Sequence, residues 1–213
     1  MTRGDERMAA LTALGASCML AASLVSTGTG PASAHPNAVA SWYAQNATSI
    51  QLGSIMWLIA MLALVAFAVR LRDALLGLTA DRWWTNVLFQ QGATVFATVA
   101  VVAAAAGWST AALAVRVGPT PDTVAAMWTL HGALLRFASW GLWVPLFAVA
   151  LALARHSTGG RVAAVLGVGV AFALLTPLTW FVGLWSFAAW LAIAGVALLF
   201  PARDPAVRTQ RVP

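Results

Sequence analysis

Residues Val162–Phe200 read VAAVLGVGVAFALLTPLTWFVGLWSFAAWLAIAGVALLF, thirty-nine positions without an Asp, Glu, Lys, Arg or His. As one helix this run would be about 58 Å long, nearly twice the ~30 Å hydrocarbon core of a bilayer. It must therefore fold back once. Pro177, Thr179, Trp180 and Gly183 combine a helix breaker, polar groups and a glycine, and they mark the turn. The stretch thus reads as two membrane spans, at 162–178 and 184–200.

Working outward, the same criterion finds four further apolar runs, at 8–27, 50–69, 86–115 and 123–154. The composition agrees. The 213 residues are 61% hydrophobic and only 8% charged, whereas soluble domains carry about 25% charged residues. Too little charge is present to wet a soluble surface, so the expected architecture is an all-α polytopic membrane bundle of six helices. It forms a single membrane domain over 1–213.

The first run carries an ambiguity. Ala32-Ser33-Ala34 before His35 resembles a signal-peptidase site, and cleavage there would leave five spans. Against this, the apolar stretch exceeds the usual ~7–15 residues of a signal peptide. Ala9, Ala13, Ser17 and Ala21 also form a small-xxx-small stripe suited to close helix packing. The reading favours a retained helix. Similar stripes occur at Ala93, Ala97, Ala105 and Ser109, and at Ala163, Gly167 and Ala171.

All twelve basic residues are arginines. With six spans, ten of them (Arg3, Arg7, Arg70, Arg72, Arg82, Arg155, Arg161, Arg203, Arg208 and Arg211) collect on one side. Arg116 falls on the other, and Arg136 lies within the fourth span. The positive-inside rule then places both termini in the cytoplasm of a bacterial inner membrane. The arginines are dispersed, so nucleic acid is not an expected partner despite the +6 net charge. Expected company is the lipid bilayer, with a homo-oligomer or a membrane-protein partner.

Ser41-Trp42-Tyr43-Ala44-Gln45-Asn46, then Ile50-Gln51-Leu52-Gly53 and an apolar helix ending in Arg70-Leu71-Arg72, resembles a family of small actinobacterial multi-pass membrane proteins. The family's order is an extracytoplasmic aromatic helix, a span ending in Leu-Arg, a Gly/Ala-rich span, a long fourth helix and a final hairpin. The resemblance covers about Ala38 to Phe200. It implies the multi-pass fold and brings no activity or catalytic residues.

Chemistry is scarce. No Walker loop, H-E-x-x-H or G-x-S-x-G occurs, and no Asp or Glu falls within a span. Cys18 is the only cysteine. His131 lies toward the outer face and His156 at the inner face, which argues against a bis-His haem, and His35 could join His131 outside only as a weak two-ligand metal site. No cofactor, metal or catalytic set is expected. The best candidate pocket is His131, Arg136, Trp140 and Trp143 on the fourth span, above Pro145. Arg136, Trp140 and Trp143 share a helical face, so the guanidinium could lie over the Trp140 ring. Pro145 cannot donate to the Gly141 carbonyl, which predicts a kink there. Intramembrane ionisable residues are functional candidates by default. The plainer reading is that Arg136 snorkels to headgroups or to Asp122.

A second polar stripe, Gln91, Thr94 and Thr98, faces either a partner helix or a narrow pathway. The first functional expectation is a non-enzymatic accessory, assembly or envelope-organising bundle. The alternative is a transporter or binder of small anionic or amphipathic molecules through an outward pocket around Arg136 and His131.

Overall fold

The computed structural model describes residues 3–28, 30–76, 83–116, 120–142, 146, 150, 158–175 and 180–199. Among these there are helices and no strand: α1 Arg3–Thr27, α2 Pro36–Leu76, α3 Trp83–Ala114, α4 Pro121–Gly141, α5 Thr158–Leu175 and α6 Trp180–Leu199. Among the described residues, four segments are long and apolar enough to cross a membrane: Arg7–Thr27, Pro36–Leu71, Gln90–Ala114 and Val182–Leu199. Arg161–Leu174 is a shorter apolar helix.

The fold-back within Val162–Phe200 is present. α5 ends at Leu175 and α6 starts at Trp180, and the two pack on each other. The Trp190 indole N–H donates to the Ala163 carbonyl at 2.8 Å. A Cβ on Gly167 would lie 2.8 Å from that nitrogen, so the small-residue face of α5 is what admits the ring.

The helices pack largely in chain order, and α1 closes the arrangement by touching both α2 and α6. The stripe on α1 does this work. Ala9, Ala13 and Ser17 are buried, a Cβ on Gly195 would sit 3.0 Å from the Ala10 carbonyl oxygen, and the Ser17 hydroxyl donates to the Ala188 carbonyl at 2.7 Å. The α3 stripe divides instead. Ala93 and Ala97 are buried while Ala105 and Ser109 are exposed. At 100° per residue, Ala105 is about a third of a turn away from Ala93.

Two readings change. The run read at 50–69 begins earlier, because α2 runs unbroken from Pro36 and is about 61 Å long. α1 ends at Thr27 opposite Gly53, so seventeen residues of α2 continue past it. We call this the upper end. There a small second core (Val39, Tyr43, Ala47, Ile50, Ala111 and Val124) joins α2 to the tips of α3 and α4. The fourth run, read as one helix over 123–154, is interrupted. α4 stops at Gly141, the Leu142 N–H turns back to the Ser139 carbonyl, and helical bonding resumes with Leu146 to Leu142. The break falls where Pro145 predicts a kink, although Pro145 itself lies outside the described residues.

Candidate functional site

The upper end holds a cavity of about 490 Å³, walled by α1, α2 and α4 with one residue each from α3 and α6. Its shape follows from local rules. Gly53 has no side chain, so α1 leans directly on α2: a Cβ there would be 2.8 Å from Thr27 Cγ2. The Ser23 hydroxyl donates to the Gly53 carbonyl at 2.7 Å and pins the contact. Gly28 and Gly30 then adopt φ of 66° and 83°, the left-handed region that ends a helix and turns the chain. The resulting strap, with Pro31, forms part of the wall.

α4 supplies the opposite side. Thr120 caps it, Pro121 occupies the first turn where no N–H is needed, and Asp122 complements the positive end of the helix dipole. From this start the helix presents Trp128, His131, Gly132, Leu135 and Arg136 to the cavity.

His131 is held firmly. Its Nδ1 lies 2.6 Å from the Ala103 carbonyl oxygen, and a carbonyl can only accept, so Nδ1 carries the proton. The ring rests on Gly107, where a Cβ would approach Cε1 to 3.1 Å. Nε2 is left as the ring's remaining acceptor.

Arg136 is exposed on the cavity wall. Asp122, the acidic residue with a described side chain, begins the same helix about 21 Å away. That separation overturns the reading in which Arg136 snorkels to Asp122. Stacking on Trp140 is also absent. Trp140 is exposed, off the cavity wall, and meets Phe137 edge-on at 5.6 Å and 75°. Of the four residues expected to form the pocket, the cavity brings together His131 and Arg136 and leaves out Trp140. Trp143 lies outside the described residues.

The sequence reading missed the α2 wall. Trp42 and Tyr43 meet edge-on at 5.0 Å, and both line the cavity with Trp57. Trp57 is only 6% exposed, yet its indole N–H has no hydrogen-bond partner among the described residues. Leaving such a donor unsatisfied costs about 1–3 kcal/mol. A lone tryptophan in an aliphatic span, one turn after a glycine, was the available signal, because a buried indole N–H normally finds an acceptor.

The second polar stripe is not part of this site. Gln91, Thr94 and Thr98 are exposed on α3, and the two threonine hydroxyls donate to the Gln90 and Thr94 carbonyls of their own helix. Among the described residues, no three of His, Cys, Asp or Glu converge as a metal site. The cavity wall carries a guanidinium, an imidazole and aromatic rings, and the Trp57 ring among them has a buried, unsatisfied N–H. Compared with family models, curated proteins and solved structures, the chain matches none. The functional reading therefore rests on the chemistry of the site.

Proposed function

We propose that the protein is a six-span membrane protein with the first helix retained and both termini cytoplasmic, and that it binds small anionic or amphipathic molecules in an outward-facing cavity. The arginine distribution supports the orientation, since it puts the upper end outside. The burial of α1 against α2 and α6 supports its retention. One observation carries the binding reading: Arg136 stands on the wall of a cavity of about 490 Å³ with no described carboxylate beside it. That volume lies within the ~300–1,000 Å³ common for ligand sites. A cation at membrane depth is costly unless something pairs with it.

An anionic amphiphile, 8-anilinonaphthalene-1-sulfonate, tests this with the full-length protein in nanodiscs against empty discs. Saturable fluorescence enhancement is expected, and Arg136→Ala should weaken it by at least about tenfold, the scale of one charge-assisted contact. The melting temperature should not change. Equal dye affinity in a folded Arg136→Ala protein would remove the proposal.

A second reading, the accessory or assembly role, is favoured by the exposed Gln91, Thr94 and Thr98 face of α3. Polar side chains turned away from their own bundle at membrane depth suit contact with another helix.

A further inference from the structure

We propose that the cavity's ligand is an amphipathic carboxylate bound acid-end down. Arg136 and the Trp57 indole N–H hold the carboxylate, and the apolar body rises toward Trp128, Trp42 and Tyr43. This rests on the anion-binding reading above and adds the ligand class, its direction and a second recognition residue.

The direction follows from helix register. α2 and α4 both start at the upper end and run the same way along the cavity. On α2, Tyr43 precedes Trp57 by fourteen residues, about 21 Å of rise. On α4, Trp128 precedes Arg136 by eight residues, about 12 Å. Trp57 also lies one turn below Gly53, where α1 ends. The charge and the unsatisfied N–H therefore sit at the membrane-ward end, and the aromatic wall sits above them.

A bilayer phospholipid has the reverse polarity, with its headgroup outermost and its chains below. A molecule entering from the upper end with its acid group leading fits the cavity, and a phospholipid headgroup does not. Trp57 fixes the chemistry further. It is nine-tenths buried on the cavity wall, with a donor that a phenylalanine of similar shape would lack. Buried N–H groups are partnered in the great majority of cases, so an acceptor belonging to the ligand is the natural complement.

The donor set sizes the anion. Arg136 is the only arginine among the described residues of the wall, and the chain has no lysine. One guanidinium, with its planar fork, plus one indole N–H suits a two-oxygen anion of single charge. A phosphate dianion would bring a second charge with no second cation to meet it. The roughly 12 Å between Arg136 and Trp128 sets a body of medium-chain length.

The test is titration calorimetry on the full-length protein in phosphatidylcholine nanodiscs, with empty discs subtracting partition into lipid. The probes are decanoate, decanol and inorganic phosphate, with a parallel set of discs containing phosphatidylglycerol. Decanoate should bind saturably at one site, and decanol at least about tenfold more weakly. Trp57→Phe should weaken decanoate by at least about tenfold, the loss of one hydrogen bond to a charged group, and leave decanol unchanged. Arg136→Gln should abolish the preference for decanoate over decanol, which keeps the test decisive if Trp57→Phe does not fold.

Decanol binding as tightly as decanoate, or a folded Trp57→Phe protein with unchanged decanoate affinity, overturns the inference. If inorganic phosphate binds as tightly as decanoate, or phosphatidylglycerol competes with it, the anion reading survives and the amphipathic carboxylate does not. If no anion saturates the site, both fall together.

Discussion

The contact of α1 with α6 and the space between α2 and α4 are lined by glycines in opposite situations. At Gly195 the helices touch through backbone, with Ala10 and Ala13 within reach of a Cβ, and the nearby Ser17 hydroxyl is satisfied by the Ala188 carbonyl. At Gly132, on the cavity wall, a Cβ would meet nothing within 4 Å. In the first region small residues align with carbonyl acceptors, so packing closes and the polarity is used up. In the second, Trp57, His131 and Arg136 line one cavity without consuming one another's hydrogen-bonding groups, so both volume and polarity are held in reserve. That reserve is the physical meaning of a site in a chain with so little charge.

The largest effect is expected on the closed side. Trp190 is 1% exposed, stacks on Phe187 at 6.0 Å and 15°, and donates to Ala163 across the α5–α6 hairpin. Trp190→Ala should cost about 3–5 kcal/mol, the usual range for emptying a buried aromatic position. Denaturant titration of the purified protein would measure it. A loss below about 1 kcal/mol would mean that the hairpin is not a packed unit, and the contrast would lose its closed member.

Paired glycine substitutions test the contrast directly. Gly195→Leu forces a side chain against the Ala10 carbonyl and should destabilise by about 1–3 kcal/mol, the cost of overpacking. Gly132→Ala, in a helix interior with free space beside it, should stabilise by up to about 1 kcal/mol. Gly132→Leu should keep the fold and block dye binding. Melting curves and binding isotherms on the three variants suffice. Equal destabilisation at both glycines would show that the cavity wall is as tightly packed as the α1–α6 contact.

The closed side was the more legible in the sequence. Length and apolarity required the fold-back in Val162–Phe200, and i, i+4 spacing identified the α1 stripe, because both depend on periodicity within one segment. The cavity depends on register between segments, which no single run encodes. Hence His131 and Arg136 were found as rare polar residues, while Trp42, Tyr43 and Trp57 were not. The Arg136–Trp140 pairing failed for a related reason. Spacing makes two side chains neighbours, but Phe137 was the contact that Trp140 took.

The smallest effect belongs to the α3 face, which fits neither side of the comparison. Thr94 and Thr98 are exposed, and their hydroxyls bond only to their own helix at 2.9 Å. Replacing each by valine keeps the shape and removes a bond that holds no second helix. Within a single copy, the double variant should therefore shift stability by less than about 0.5 kcal/mol. Gln91→Leu should be as mild, since that side chain is also exposed. The informative measurement is the same denaturant titration at several protein-to-detergent ratios. A change that stays small at every ratio leaves the stripe as surface. A loss above about 1 kcal/mol that appears only when copies are concentrated would mean the face is covered by another chain, because only an intermolecular contact makes apparent stability depend on protein concentration.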